Sequence, residues 1–277
     1  MTTRLDCGKF SLKLDRPLVM GIVNVTPDSF ADGGRHVEKR AAIAHARRLL
    51  DEGADILDIG GESTRPGAQP ASLGEELDRV MPVIEAMMNQ GVPLSVDTQK
   101  PEVMRAALSA GVSMVNDVNA LQAAGALEVV AASKVAVCLM HKQGMPKTMQ
   151  EHPSYADVVA EVKDFLHERA SAVRATGVAA ERIVIDPGFG FGKSVAHNLR
   201  LLRDLQQFLD LGFVVLAGLS RKSTLGSLTG RAVDDRLAAS LAAALLAAQK
   251  GAKILRVHDV KETVDALKIW QAVEGAV

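Results

Sequence analysis

Side chains that can bind a heterocycle or a phosphate stand at the ends of short apolar runs in this sequence. Asp97, Asn116 and Asp186 each lie at the end of such a run. Their carboxylate and amide groups can pair with the N–H donors of a flat nitrogen heterocycle. The last two runs are followed by the cations Arg221, Lys222, Arg256 and His258. Because such cations bind phosphate, the residue types predict a donor-rich ring and a phosphorylated group as ligands.

Asn24 follows the first apolar run and offers an uncharged oxygen ligand. Mg²⁺ commonly bridges substrate phosphates through one or two protein oxygens and several waters. The sequence therefore predicts Mg²⁺ that arrives together with a phosphorylated substrate. Each polar residue taken alone has a simpler explanation, since Asp and Asn often cap a helix or a turn. Polar groups at the ends of all eight runs favour one shared pocket instead.

The apolar runs alternate with longer Ala- and Leu-rich segments, a pattern typical of parallel βαβ units. The eight predicted strands are Leu18–Val23, Ile56–Ile59, Pro93–Val96, Ser113–Asn116, Val135–Met140, Ile183–Ile185, Val214–Ala217 and Ile254–Val257. The eight predicted helices are Glu38–Glu52, Leu73–Asn89, Glu102–Ala110, Ala123–Ser133, Tyr155–Thr176, Val195–Leu209, Ala232–Lys250 and Lys261–Val273. Eight such units predict an α/β fold, a (β/α)8 TIM barrel whose active site lies at the C-terminal ends of the strands.

The segment before the first strand, Leu5–Leu14, is predicted to form a short β-hairpin around Gly8-Lys9. In a barrel this hairpin is placed to plug the N-terminal, bottom end. The sequence contains no linker rich in Pro, Gly or Ser and no repeat beyond the βα unit. Residues 1–277 are therefore predicted to form a single barrel domain.

Composition excludes several classes of protein. The formal net charge of −1 lacks the basic excess of a nucleic-acid-binding protein. Two cysteines are too few for a disulfide framework, and the N-terminus lacks the apolar segment of a secretory signal. The most apolar run, Leu237–Ala248, is shorter than the roughly 20 residues that span a bilayer. We therefore expect a cytoplasmic protein with neither nucleic acid nor membrane as a partner.

Seven motifs occur in order along the chain, each at a predicted strand end. They are MGIVNVTPDSFADGG (Met20–Gly34), DIGGESTRPGA (Asp58–Ala68), SVDTQKP (Ser95–Pro101), NDV (Asn116–Val118), DPGFGFGK (Asp186–Lys193), GLSRKS (Gly218–Ser223) and RVHDV (Arg256–Val260). A string as short as NDV carries no weight alone, but the ordered set is specific. It closely resembles the bacterial dihydropteroate synthases, a pterin-binding TIM-barrel family.

The resemblance implies an enzyme of folate synthesis, a transferase that condenses 6-hydroxymethyl-7,8-dihydropterin pyrophosphate with p-aminobenzoate to 7,8-dihydropteroate and pyrophosphate. It implies a pterin-binding set of Asp97, Asn116, Asp186 and Lys222. It also implies a pyrophosphate and Mg²⁺ set of Asn24, Asp28, Arg256 and His258, with Asn24 and Asp28 as the metal ligands. Catalysis is implied for Asp97, Lys222, Arg256 and His258. It further implies a sulfonamide target, since sulfonamides mimic p-aminobenzoate in this family.

The same resemblance implies that two long loops close over p-aminobenzoate. Their residues are Asp28, Phe30, Thr64, Arg65 and Pro66. Ser223, which opens a helix, can offer backbone N–H groups to the benzoate carboxylate, and Phe191 completes the substrate-binding set. Asp58 and His141 also stand at strand ends, but a structural role explains them equally well, so neither is included.

Three alternatives remain open. Lys193 and Lys222 follow strand ends and permit a Schiff-base aldolase. That activity would leave Asn24 and the cations Arg256 and His258 unexplained. A pterin-binding domain of a folate-dependent methyltransferase shares the barrel but has no need of the long loops. A catalytically inactive paralogue that only binds pterin is the third.

The predicted helix Ala232–Lys250 is apolar around most of its circumference, which favours a homodimer through the C-terminal helices.

Overall fold

The computed structural model describes residues 3–26, 34–63, 69–144 and 148–275. Its strands are β1 Arg4–Cys7, β2 Phe10–Lys13, β3 Leu18–Asn24, β4 Ile56–Gly60, β5 Leu94–Asp97, β6 Met114–Asp117, β7 Ala136–Met140, β8 Ile183–Asp186, β9 Val214–Ala217 and β10 Ile254–Val257. Its α-helices are α1 Gly34–Asp51, α2 Leu73–Met87, α3 Pro101–Ser109, α4 Ala126–Ala131, α5 Val158–Ala175, α6 Val195–Arg203, α7 Ser223–Thr229, α8 Leu237–Gln249 and α9 Val260–Glu274.

The strands β3 to β10 form a closed barrel in chain order, and β10 pairs with β3 to complete it. Every neighbouring pair in the barrel is parallel. The predicted TIM barrel is therefore confirmed, and each predicted strand end lies within one residue of the observed end. The strands are nearly continuous β-branched and aliphatic runs because both of their faces are buried.

Alternate residues of each strand face opposite sides, and the two faces join different cores. In β4, Leu57 and Ile59 pack against the surrounding helices in the larger hydrophobic cluster. Ile56 points instead into the barrel, where it joins a second cluster with Met20, Met114 and other residues near the N-terminal strand ends. The inward-facing residues of the barrel therefore form a core separate from the one between strands and helices, and they can be apolar at one end of a strand and polar at the other.

The strands β1 and β2 form the predicted antiparallel hairpin, with Cys7 paired to Phe10 across Gly8-Lys9. Gly8 has a φ of 62°, a left-handed conformation that glycine adopts at no steric cost. Leu5 and Cys7 are fully buried and belong to the inward cluster. The hairpin thus closes the N-terminal end of the barrel, as predicted.

Every predicted helix differs from the observed one by at least one residue at one end, and two of them differ most. The predicted Val195–Leu209 divides into α6 and a 3-10 helix at Leu205–Leu211, where Leu205 and Phe208 are both buried. Their spacing of three residues aligns them on one side of a 3-10 helix. The predicted Ala232–Lys250 begins only at Leu237, after a short 3-10 turn. Within the described ranges, no helix is both long and apolar enough to cross a membrane.

Candidate active site

A ring of polar side chains lies inside the barrel, directly above the inward apolar cluster. Side chains two residues apart on a strand share a face, so Asp58 lies above Ile56 and Arg256 lies above Ile254. The members of this polar ring are Asp58, Asp97, Asn116, Asp186 and Arg256. The C-terminal half of the barrel interior is thus charged, and it lies at the end where barrel enzymes carry their active sites.

Arg256 joins three strands of the polar ring through its guanidinium group. Its Nε donates to Asp58 Oδ2 at 2.6 Å, and its terminal nitrogen donates to Asp97 Oδ2 at 2.7 Å. Asn116 Nδ2 donates to the same oxygen of Asp58 at 3.0 Å. The structure therefore brings together the predicted site residues Asp97, Asn116 and Arg256. It connects them through Asp58, which is not among the predicted site residues.

Asp58 is fully buried, so its carboxylate requires a cationic partner. One signal in the sequence points to this role. Asp58 stands between Leu57 and Ile59, on the opposite face of β4 from both. An acidic residue between two outward-facing apolar residues of a doubly buried strand must point into the barrel, whereas a capping residue lies beyond the strand end.

Burial and charge together shift the pKa values in the polar ring. Burial raises the pKa of Asp97 to about 7, against the opposing effect of Arg256 and with a further increase from Asp58. Burial also raises the pKa of Asp186, which Lys222 opposes. Burial alone would lower the pKa of Arg256, but the charges of Asp58 and Asp97 outweigh it and hold this pKa above its usual value.

Lys222 lies against the loop that follows β8. Its ammonium donates to the carbonyl oxygen of Phe189 and lies 4.6 Å from the centre of the Phe191 ring, a cation–π distance. Burial lowers the pKa of Lys222 to about 8, although Asp186 raises it. The predicted residues Lys222, Phe191 and Asp186 are thus neighbours. Ser223 is the exposed first residue of α7.

Of the adjacent cations Arg221 and Lys222, only Lys222 contacts the β8 loop in the described structure. Arg221 forms an ion pair with Asp259, in which its Nε donates at 3.1 Å. Its backbone has a φ of 58°, and its N–H donates to Ser240 Oγ at 3.0 Å. This left-handed residue turns the chain so that the two neighbouring cations have different partners.

His258 and Asn24 lie at the rim of the barrel: His258 directly follows β10, and Asn24 ends the neighbouring strand β3. The backbone N–H of His258 donates to Ser220 Oγ at 3.2 Å, and its ring Nδ1 lies 3.0 Å from the same oxygen. Asn24 is the last residue of β3 and is partly buried. Both residues therefore stand at the same end of the barrel as Arg256.

The model of the pterin binding enzyme family matches residues 20–258 of this chain. Dihydropteroate synthase of Neisseria meningitidis serogroup B is 51% identical over 274 residues, and the alignment covers 96% of this chain and 96% of that protein. The chain belongs to the dihydropteroate synthase family of pterin binding enzymes. The resemblance that the ordered motifs indicated is thereby confirmed.

Solved structures of this family share the complete fold. Dihydropteroate synthase from Xanthomonas albilineans with 4-aminobenzoic acid is 58% identical, with a TM-score of 0.94 over 100% of both chains. The enzyme from the same organism in complex with 7,8-dihydropteroate is 56% identical, with a TM-score of 0.91 over 99% of this chain and 100% of that one. Both similarities extend across the barrel and its strand ends.

Several predicted site residues of the family pattern lie outside the described residues. They are Asp28, Phe30, Thr64, Arg65 and Pro66. Their roles stay predictions. Across the described ranges, no three His, Cys, Asp or Glu side chains are grouped to hold a metal ion. Asn24 is thus the described member of the predicted Mg²⁺ set, and a single amide oxygen suits an ion that keeps most of its ligands from substrate and water.

Proposed function

We propose that this chain is a transferase that condenses 6-hydroxymethyl-7,8-dihydropterin pyrophosphate with p-aminobenzoate, giving 7,8-dihydropteroate and pyrophosphate. The polar ring carries this proposal, because it sets buried carboxylates and an amide beside Lys222 and Arg256 at the C-terminal end of the barrel. The relatives support the substrate pair, since one solved structure holds 4-aminobenzoic acid and another holds 7,8-dihydropteroate.

Asp97, Asn116, Asp186 and Lys222 bind the pterin in this proposal. Asp186 Oδ1 already accepts the N–H of Gly188 at 2.8 Å, and Oδ2 accepts from the amino and ring N–H groups of the pterin. Lys222 donates to an acceptor on the ring while its charge balances Asp186. These complementary donors and acceptors explain why the polar ring contains carboxylates rather than only cations.

Arg256 and His258 bind the pyrophosphate, with Asn24 as a protein ligand of Mg²⁺ and Asp28 as its predicted second ligand. The ion supplies additional positive charge to the pyrophosphate when it is bound. During reaction the C–O bond to pyrophosphate breaks and its electron pair leaves with the phosphate oxygen. Arg256 and His258 stabilise that leaving charge. No enzyme nucleophile is required.

Asp97 stabilises the positive charge that forms on the pterin as pyrophosphate leaves. The amine of p-aminobenzoate then forms the new C–N bond and releases a proton. Phe191 and Ser223 contact the p-aminobenzoate, together with the predicted Phe30, Thr64, Arg65 and Pro66. Exclusion of water by these loops protects the cation from hydrolysis.

The test is pyrophosphate release from dihydropterin pyrophosphate with Mg²⁺, measured with and without p-aminobenzoate. We expect amine-dependent release in the wild type, lowered about a hundredfold or more in Asp97→Asn and Arg256→Ala, because each loses a charge that the transition state needs. Arg203→Ala changes an exposed arginine on α6 and should leave the rate unchanged. Pterin binding without any release would instead indicate a methyltransferase-type module or an inactive paralogue.

The assembly is a homodimer through the C-terminal helices in our proposal. Six of the eight exposed large hydrophobic side chains in the described structure lie in this region, namely Leu228, Val233, Leu237, Leu246, Ile269 and Val273. Exposed apolar side chains clustered in this way favour a partner surface. Sedimentation equilibrium should give twice the chain mass, and Leu246→Glu with Ile269→Glu should give the single mass. A monomeric wild type would contradict the dimer.

We infer that residues 1–277 form one barrel domain and that the protein functions in the cytoplasm. A single cooperative unfolding transition supports the first inference, and two separated transitions contradict it. Cell fractionation with a tagged chain tests the second.

A further inference from the structure

Lys193 is a buried lysine that the proposed function does not use. Its side chain belongs to the loop between β8 and α6 and is 3% exposed. The ammonium lies 3.0 Å from the carbonyl oxygens of both Gly188 and Phe191. It also lies 2.9 Å from His141 Nδ1 and 3.4 Å from the carbonyl oxygen of His141. These acceptors satisfy all three N–H groups of the lysine, so Lys193 fastens the loop internally.

His141 is the side-chain acceptor of this lysine. Burial lowers the pKa of His141 to about 3, and the charge of Lys193 lowers it further. The ring is therefore neutral, and its Nδ1 accepts from the ammonium. The ring also packs edge-on against Phe165 at a centroid distance of 4.9 Å and lies 6.1 Å from Tyr155. His141 is thus an immobilised, uncharged partner for Lys193.

The backbone of the loop after β8 packs closely against the backbone that follows β7. Gly188 and Gly192 both have positive φ, of 71° and 65°. A Cβ at Gly188 would overlap the carbonyl oxygen of His141, and one at Gly192 would overlap that of Gln143. Backbone therefore packs directly against backbone at Gly188 and at Gly192. Lys193 bonds to both carbonyl oxygens at the first of these contacts, those of Gly188 and His141.

Three consecutive residues of this loop contact Lys222. The carbonyl oxygen of Phe189 accepts from its ammonium, and the Phe191 ring lies under that ammonium. A Cβ at Gly190 would come within 3.1 Å of Lys222 Cδ. The position of the Lys222 side chain is thus set by the segment that Lys193 fastens.

We propose that Lys193, with His141 as its neutral acceptor, is a positioning residue that holds Phe189–Phe191 in place and thereby directs Lys222 into the pocket. The proposal rests on the proposed function, in which Lys222 binds the pterin. Lys193 itself contacts no substrate. Its buried ammonium therefore acts on the loop rather than as the amine of a Schiff base.

A double-mutant cycle between Lys193 and Lys222 tests this coupling. Lys193→Met keeps the side-chain length and removes the donors, and it should raise the KM for dihydropterin pyrophosphate about tenfold to a hundredfold. In the Lys222→Met background the same change should add less than about twofold, because the residue through which it acts is gone. Losses that multiply in the double variant, or an unchanged KM in the single variant, would overturn the proposal.

Two further measurements do not depend on synthase activity. The ¹⁵N resonance of the Lys222 ammonium should shift in Lys193→Met, and amide exchange in Gly188–Phe191 should accelerate. Lys193→Arg keeps a cationic donor and should restore part of the protection. Lys163→Met is the control, since Lys163 pairs with the exposed Asp210 on the surface. An unshifted resonance would contradict the coupling, whereas a wild type without amine-dependent release would contradict only the proposed function.

Discussion

The barrel interior has an apolar half and a polar half, although the same strands build both. At the N-terminal end Ile56 and Ile254 pack with Leu5 from the hairpin, in a layer closed to solvent. Two residues further along the same strands stand Asp58 and Arg256, which form an ion pair. Only the position along the strand differs, since all four strand residues point into the barrel.

The two halves differ in what they contribute to the molecule. Each large side chain of the apolar half stabilises the fold by about 1.5–3 kcal/mol through burial. The polar half gains little net stability, because the desolvation of buried charges offsets their attraction. What it provides is a set of fixed charges in a protein interior of low dielectric constant. Stability and chemistry are therefore separated along one strand, and the following predictions test that separation.

The largest effect is expected for Arg256→Leu in the polar half. The free energy of unfolding should fall by about 3–5 kcal/mol, because Asp58 and Asp97 remain buried without their cation. The kcat/KM should fall by about a hundredfold to a thousandfold. Urea denaturation and initial rates measure the two quantities. Arg203→Leu removes an exposed ion pair and should leave the free energy of unfolding nearly unchanged; a similar loss in both variants would contradict the comparison.

Leu5→Ala tests the apolar half by itself. The fully buried side chain should leave a cavity that lowers the free energy of unfolding by about 2–5 kcal/mol. Well below the unfolding midpoint, kcat/KM should stay within about twofold of the wild type, since the pocket is formed by the opposite half. Leu199→Ala makes the same change on an exposed side chain and should cost about 0.5 kcal/mol or less. A selective loss of kcat in Leu5→Ala would show that the halves are not separable.

The pH dependence of kcat/KM for the pterin substrate should be bell-shaped. The pKa of Asp97 is raised to about 7, so its carboxylate forms, and the rate rises, as the pH passes that value. The pKa of Lys222 is lowered to about 8, so its ammonium and the rate are lost above it. Lys222→Arg should remove the descending limb, because a guanidinium stays charged. A descending limb that persists near pH 8 in this variant would assign it to another group.

The smallest effect is expected for Asn24→Ala at the rim of the polar half. Loss of one uncharged oxygen ligand, about 1 kcal/mol, should raise the Mg²⁺ concentration for half-maximal rate about fivefold. Saturating Mg²⁺ should restore kcat, and EDTA should abolish turnover in the wild type. Asn89→Ala, in an exposed turn after α2, is the matched control. Equal Mg²⁺ dependence in the two variants would remove Asn24 from the metal set.

Much of this architecture follows from local sequence patterns. The β-branched runs and the segments between them predicted every barrel strand within one residue, and Gly8-Lys9 predicted the hairpin. The helix ends were less accurate. Arg236 explains why α8 begins later than predicted. Its side chain bonds to the carbonyl oxygens of Arg231 and Arg221 and so orders the turn before the helix. Those contacts are made by residues before the helix, so they leave no helical periodicity in the sequence from which the start of α8 could be predicted.

By itself, the sequence determined the order of the strands, the end of the barrel that carries polar groups and four of the five residues of the polar ring, namely Asp97, Asn116, Asp186 and Arg256. The period of two residues along a strand is a local property, so it can be read from local sequence. Only the tertiary structure decided that Arg256 pairs with Asp58, 198 residues away, and that Lys193 lies against His141. Partner choice depends on barrel closure and strand register, which bring distant segments together and have no counterpart in any local pattern.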